Sequence, residues 1–395
     1  MAAEFLPGNR LTLLNSGSDY FPALLAAIGG AQTEIYLESY IFADDEIGHE
    51  VASALCQAAE RGVLVNVTVD GFGARNFAAD FLPMLTSAGV RAMYYRPEIG
   101  RFHLKRHRLR RLHRKLVVID GEIAFVGGIN VIDDLNSPHH LPPRYDYAVA
   151  VEGPLLADIY HSARRLWSLV SWRQLAPWVK KTRRERRRAK LPLQFPPCGD
   201  VRAAFVIRDN IRHRRDIEEA YLEAISKARR EIVIANAYFL PGRRFRQALV
   251  RAAARGVRVV LLLQGRVEYR LLHYATRALY RFFLDAGVEI HEYHRSFLHA
   301  KVAVIDRRWA TVGSSNIDPF SLLVAREANV VVDDRGFAAT LRESLERAMS
   351  DGGQKIHLGR WNGQPLYQRF LSWSAYGLVR LLVGMAGYTR RYEEE

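Results

Sequence analysis

Two eighteen-residue segments carry the same polar residues at the same spacing. HRKLVVIDGEIAFVGGIN runs from His113 to Asn130, and HAKVAVIDRRWATVGSSN from His299 to Asn316; 9 of 18 positions are identical. The shared set is His113/His299, Lys115/Lys301, Asp120/Asp306, Gly127/Gly313 and Asn130/Asn316. Histidine attacks phosphorus as a nucleophile or moves a proton near neutral pH. Lysine offers a positive charge and three donors to non-bridging phosphate oxygens. Asparagine adds a neutral amide donor. In an extended strand alternate residues share a face, so each histidine points the same way as its lysine. The Gly-Gly or Gly-Ser pair allows a tight turn that returns the asparagine to the same neighbourhood. Brought together by a pseudo-two-fold, the two sets make a phosphodiester site, with a nucleophile on one side and a proton donor on the other.

A histidine in such a role needs a carboxylate to fix its tautomer. Asp146 and Glu327 each open an apolar strand, Tyr147–Val151 and Ala328–Val332, about 30 residues after a histidine. The expected pairs are therefore His113 with Asp146 and His299 with Glu327. Asp120 and Asp306 face opposite to the histidines on a strand. They belong to the catalytic set or close the strand-end turn. No carboxylate cluster has metal-like spacing and the lysines already neutralise a phosphate, so the expectation is no metal and no cofactor. A single HxKxxxxD motif is weak, because His and Lys commonly decorate strand ends. Its duplication, with matched glycine, asparagine and downstream acids, makes decoration a poor explanation. His103, His107, His139, His140 and His294 lack repeat partners and read as loop or surface residues.

The repeat extends beyond the motifs. Glu34–Glu38 resembles Glu231–Ala235, Arg61-Gly62-Val63 matches Arg255-Gly256-Val257, and Ala88-Gly89-Val90 matches Ala286-Gly287-Val288. Each half reads helix, strand, helix, strand, helix, strand, with glycines where helices stop. The fold class expected is α/β: two pseudo-two-fold-related lobes, each a mostly parallel β-sheet flanked by helices. The expected division is a first lobe at 1–151, a connection at 152–200, a second lobe at 201–350 and a C-terminal tail at 351–395. The first lobe carries about 12 extra residues before its motif, coinciding with the basic stretch 101–111. The connection holds an aromatic amphipathic segment, Leu155–Trp178, and a basic run, Lys180–Lys190. Leu366–Tyr392 is a second amphipathic segment.

Composition narrows the partners. The 395 residues are 49% hydrophobic and 25% charged, so the chain folds rather than stays disordered. Lys plus Arg number 57 against 42 Asp plus Glu, a net charge of +15 that favours a polyanionic partner. Two cysteines cannot build a disulfide framework and suit a reducing compartment. No signal peptide and no run of about 18 uncharged apolar residues is visible. These features exclude a secreted mini-protein and a multi-span membrane protein.

The two motifs resemble the paired HxKxxxxD signatures of the phospholipase D superfamily, over roughly residues 10 to 345. The continuations Gly127-Gly-Ile-Asn130 and Gly313–Ser321, with Ser39–Gly48, resemble bacterial cardiolipin synthases, of the short form without N-terminal transmembrane helices. That resemblance implies phosphatidyl transfer through a covalent phosphohistidine. Phosphatidylglycerol is donor and acceptor; cardiolipin and glycerol are the products. It implies His113 as nucleophile and His299 as the acid that protonates the leaving alcohol, then the base for the incoming one. Lys115, Lys301, Asn130 and Asn316 hold phosphate oxygens, and Asp120 and Asp306 complete the catalytic signatures.

Three other readings compete. A lipid hydrolase and a nuclease of the same superfamily share the site. A non-enzymatic anion-binding module does not explain the duplicated sets. The amphipathic segments favour a lipid substrate, because Trp and Tyr beside Arg is the composition of an interfacial helix. Nucleic acid is therefore the less expected partner. The expected location is peripheral, on the cytoplasmic face of the cell membrane, held partly by roughly 1 kcal/mol for each basic residue near an anionic leaflet.

Overall fold

The computed structural model describes residues 3–96, 110–137, 142–174, 194–209, 212–318, 325–359 and 365–383. Most of the basic stretch 101–111 and the whole run 180–190 lie outside the described residues, as do His103, His107, His139 and His140.

The first lobe runs β1 (Leu6–Asn15), α1 (Ser16–Gly30), β2 (Glu34–Ser39), α2 (Glu46–Glu60), β3 (Leu64–Asp70), α3 (Phe77–Asp80), α4 (Leu82–Ser87) and β4 (Arg91–Tyr95). It continues with β5 (Arg111–Leu112), β6 (Lys115–Ile119), β7 (Ile123–Gly127), β8 (Arg144–Tyr145), β9 (Tyr147–Glu152) and α5 (Leu156–Arg173). The second lobe repeats the plan. It has β10 (Val201–Arg208), α6 (Asp216–Lys227), β11 (Glu231–Asn236), α7 (Arg243–Ala254), β12 (Arg258–Gln264), α8 (Arg270–Ala278), α9 (Tyr280–Asp285) and β13 (Glu289–Tyr293). Then come β14 (Phe297–Leu298), β15 (Lys301–Ile305), β16 (Trp309–Gly313), β17 (Ala325–Asp333), α10 (Arg335–Gly352), β18 (Gly353–Lys355) and α11 (Leu366–Val383).

The strand order is β1-β9-β7-β6-β2-β3-β4 in the first lobe and β10-β17-β16-β15-β11-β12-β13-β18 in the second. The antiparallel pair β1–β10 joins them into one sheet. The duplicated α/β lobes are as expected, but the parallel share is smaller. Along this strand order, among the described residues, β2–β3–β4 and β11–β12–β13 pair in parallel and the other neighbours are antiparallel. These strands are separated by helices, which allow a crossover. β6–β7 and β15–β16 are joined by tight turns and must run antiparallel.

The sheet has a core on each face. On one face, α5 and α10 pack over both lobes; Ile159, Tyr160, Leu341 and Leu345 share a cluster with Val149 and Val330. On the other, each lobe has its own core, with Leu24 and Val51 in the first and Ile225 and Leu249 in the second. Helix α5 spends its apolar side on this packing: Leu156, Ile159, Ala163, Leu166 and Val170 are buried. So the Leu155–Trp178 segment, as far as residue 174, is chiefly a packing helix. The tail differs. Helix α11 buries Ala375 and Val379 against the second lobe, while Tyr367, Phe370, Trp373 and Leu381 stay exposed.

Asp120 and Asp306 belong to the fold rather than the site. Each follows its strand at the end opposite the lysine, about 16 Å away at the rise of a strand. Each opens a turn whose two central residues are left-handed: Asp120-Gly121 and Asp306-Arg307. A short polar side chain tolerates that conformation. The Asp120 carboxylate accepts the N–H groups of Gln32, Thr33 and Glu34 at 2.7, 2.7 and 2.8 Å. Asp306 accepts those of Arg229, Arg230 and Glu231. Burial would raise the Asp120 carboxyl, but these donors win and hold it below the usual range. Of the two readings open for these aspartates, this placement favours the structural one, as clamps on the strand entering each lobe's centre. Asp120→Ala should cost about 2 kcal/mol of stability through the orphaned N–H groups, measured by urea unfolding. The rate per folded molecule should change by less than about threefold; a loss of about 10³-fold would return Asp120 to the chemistry.

Candidate active site

Two short parallel pairings bring the motifs together. β5, just before His113, pairs with the start of β17, just before Glu327. β14, just before His299, pairs with β8, just before Asp146. The His113 N–H donates to the Arg326 carbonyl at 3.0 Å, and the His299 N–H to the Tyr145 carbonyl at 2.8 Å. Asp70, at the end of β3, accepts the Leu112 N–H at 2.7 Å and so fixes the approach to His113.

The consequence is an exchange of acids between lobes. His113 Nδ1 lies 2.9 and 3.1 Å from the two oxygens of Glu327. His299 Nδ1 lies 2.6 Å from Asp146 Oδ2. Both expected acids are at the site, but each serves the other lobe's histidine. The order of residues along the chain favoured pairing within a lobe. The parallel contacts β5–β17 and β8–β14 reverse it.

Both lysines are buried. Lys115 Nζ donates to the His113 carbonyl at 2.5 Å. Lys301 Nζ reaches Asp146 Oδ2 at 3.2 Å and His299 Nδ1 at 2.7 Å, and donates to the His299 carbonyl. Asn130 and Asn316 are buried at the ends of the motifs. Asn130 Oδ1 accepts the Ile41 N–H at 3.1 Å. In the second lobe Asn236 Oδ1 accepts the Ile317 N–H at 3.2 Å, as Ser39 Oγ accepts that of Val131 in the first, and Asn316 Oδ1 has no partner.

Electrostatics make this one site. Burial pushes His113 below its ordinary value; Glu327 opposes that and Lys115 adds to it. Burial, with Lys301, pushes His299 down to about 3 against Asp146. Burial pushes the Lys115 ammonium down to about 7 against Glu327, with Lys301 acting in the same direction. Lys301 is also pushed down by burial, with Asp146 and Glu327 opposing. Burial alone would raise Asp146, but Lys301 and His299 overcome it and keep it ionised. Burial thus disfavours the cationic forms of both histidines and both lysines unless a counter-charge is present.

The halves are not equivalent. Ser314 Oγ donates to Glu327 Oε2 at 2.5 Å, whereas its counterpart Gly128 leaves only room for the Asp146 carboxylate. Tyr40 sets its ring on His113, with centroids 5.0 Å apart, and its counterpart is Ala237. Glu268, whose carboxyl burial raises to about 7 against Arg144 and Lys301, receives the Tyr238 hydroxyl. Sequence reasoning took Ser314 only as a turn residue. Tyr40 and Glu268 sit outside the repeated motif, and nothing in their spacing marks them.

A family model described as cardiolipin synthase, PLD-like domain, matches residues 24–156 and 221–349. The chain belongs to this family. Cardiolipin synthase B of Escherichia coli K12 is 40% identical over 365 residues, covering 90% of this chain and 84% of that protein. Cardiolipin synthase B of Salmonella typhimurium is 42% identical over 355 residues, covering 88% and 82%. Cardiolipin synthase 2 of Bacillus anthracis is 30% identical over 373 residues, covering 94% and 70%. Among solved structures, phosphatidylserine synthase of Haemophilus influenzae superposes with a TM-score of 0.69 at 13% identity. It covers 96% of this chain and 95% of that one, a likeness of fold. The family places this enzyme among the phospholipid-synthesising transferases, with the phospholipase D type of site.

Proposed function

We propose that the site joins two phosphatidylglycerol molecules into cardiolipin and releases glycerol. The observation that carries the mechanism is the crossed pair of His–carboxylate contacts beside two buried lysines. Glu327 holds the Nδ1 proton of His113, so Nε2 presents its lone pair to the phosphorus of the first lipid. The His113–phosphorus bond forms as the bond to the glycerol oxygen breaks. That oxygen takes a proton from His299, which Asp146 steadies through Nδ1. Glycerol leaves. The hydroxyl of a second phosphatidylglycerol then gives its proton to His299 as its oxygen attacks phosphorus. The bond to His113 breaks, and both histidines return to their starting state. Lys115, Lys301, Asn130 and Asn316 hold the non-bridging oxygens throughout.

His299 has to be protonated to act as the acid, yet burial pushes it down to about 3, so without a counter-charge it is neutral at pH 7. A phosphodiester between the lysines supplies the missing negative charge and raises that value. A rise through the working pH takes up protons. Binding of the dihexanoyl form of phosphatidylglycerol to the His113→Ala protein at pH 7 should take up at least about one proton per site, mainly on His299 with a further part on Lys115. Calorimetry in two buffers of different ionisation enthalpy measures this; no uptake, or release, would contradict the coupling.

We place the enzyme peripherally on the cytoplasmic face of the membrane. Among the described residues no helix is long and apolar enough to cross one. The exposed Phe370, Trp373 and Leu381 of α11 provide an apolar face for the lipid surface, and the net charge of +15 favours an anionic leaflet. Replacing Phe370 and Trp373 together with Ser should weaken binding to phosphatidylglycerol vesicles about tenfold or more. Turnover of the short-chain soluble lipid should be unaffected. Unchanged vesicle binding would remove α11 from the membrane contact.

The experiment for the reaction itself is product analysis on phosphatidylglycerol vesicles. Cardiolipin and glycerol in equal amounts support transfer. Phosphatidic acid as the main product would make the enzyme a hydrolase. Intact vesicles with cleaved nucleic acid would make it a nuclease.

A further inference from the structure

Behind the strand that carries His113 lies another cavity, of about 650 Å³, with an arginine-rich and a partly apolar lining. It is lined by Arg114 and Arg326, but by neither of their neighbours His113 and Glu327. It is thus separate from the histidine pocket. Eight arginines and one acid, Asp209, line it. Asp209 is already engaged, accepting the N–H groups of Arg212 and His213. Three of the arginines have evident structural partners. Arg114 is paired with Glu38 and Ser162, Arg208 donates to the Ala325 carbonyl, and Arg326 donates to the Tyr95 hydroxyl.

Arg96 is satisfied only in part: it hydrogen-bonds Tyr95 and lies over its ring, 5.6 Å from the centroid. Its Nε and Nη1 are buried without a hydrogen-bond partner. Its backbone is left-handed, at φ 54°, a conformation few side chains accept. Arg173 and Arg165 project from the exposed side of α5 into the same cavity. A cluster of like charges with orphaned donors is costly unless an anion completes it. Guanidinium groups suit phosphate oxygens, which they grip two at a time. The wall beside them is apolar: Leu166, Leu169 and Trp172, the last 71% exposed. A free phosphate has no use for such a wall; an acyl-glycerol does.

We propose that this cavity is a second phospholipid site, which holds the phosphate of an anionic lipid while another lipid reacts at the histidines. The choice of lipid rests on the function proposed above. Arg114, paired with Glu38, directly follows His113, and Arg326 directly precedes Glu327, so the cavity is tied to the backbone beside both. Occupancy therefore braces the contact that orients His113. The site either stores the acceptor lipid or senses how anionic the surface is; both require the same ligand.

The test is calorimetric binding of soluble dihexanoyl-phosphatidylglycerol to the full-length His113→Ala protein, which cannot turn it over. Two lipids per chain are expected. Adding Arg165→Ala and Arg173→Ala, both on the exposed side of α5, should remove one of the two or weaken it about tenfold or more. Arg96→Gln is the sharper change, and the α5 pair guards against its failing to fold. One lipid per chain, or two with unchanged affinity in the α5 variant, would overturn the proposal. So would inorganic phosphate or an oligonucleotide that binds the cavity as tightly as the lipid does. Product analysis separates the two readings. Two binding sites without cardiolipin would refute only the proposed reaction; cardiolipin with a single site would refute only this second site.

Discussion

His113→Ala and His299→Ala are each expected to lower cardiolipin formation by at least about 10⁴-fold, and the double variant to be hardly worse than either. The two histidines act on one phosphorus in one step, so losing either leaves the other without a task. Both side chains are partly exposed, while their Nδ1 partners Glu327 and Asp146 are buried and would lose a hydrogen bond on truncation. Some loss of stability is therefore expected as well, and rates should be normalised to folded protein. A single variant that kept a tenth of the activity would break the paired mechanism. So would a double variant whose loss equals the product of the two singles.

The second large effect separates the two carboxylates. Glu327→Gln and Asp146→Asn should each reduce turnover about 10³- to 10⁴-fold, as expected when the group that orients a catalytic imidazole is lost. The exchange between lobes gives them different signatures. A phosphatidyl ester of p-nitrophenol needs no acid to expel its alcohol. With that substrate, Asp146→Asn and His299→Ala should release a burst of nitrophenol and stall as the phosphohistidine, because only the second step needs the base. Glu327→Gln should give no burst, because Glu327 serves the nucleophile. If the acids instead worked within their own lobes, Asp146→Asn would be the variant without a burst.

These variants also show what was legible before the fold was known. Both histidines, both lysines, both asparagines and both acids are found in the sequence because the chain repeats itself, and chemistry is a costly explanation to avoid twice. The helix–strand order was legible for the same reason. Asp146 and Glu327 were found but matched to the wrong histidines. Which partner they serve depends on β5–β17 and β8–β14, two-residue pairings between distant segments that leave no periodic trace. Asp120 and Asp306 could be read either way: they repeat as faithfully as the histidines, because the turn beside each strand is a duplicated structural need. The sheet reads as parallel from its helices, while its centre is built of hairpins. Tyr40, Ser314 and Glu268 break the repeat, so a search for symmetry passes over them. They are what makes the two histidines unequal, and a unique nucleophile needs such inequality.

The most direct test of the central claim is to find where the covalent phosphatidyl group sits. Asp146→Asn protein, mixed with the p-nitrophenyl lipid and quenched in alkaline denaturant, should carry one phosphatidyl group per chain. Peptide mapping by mass spectrometry should place it on His113. A label on His299, or a burst of nitrophenol with no labelled histidine, would contradict the account.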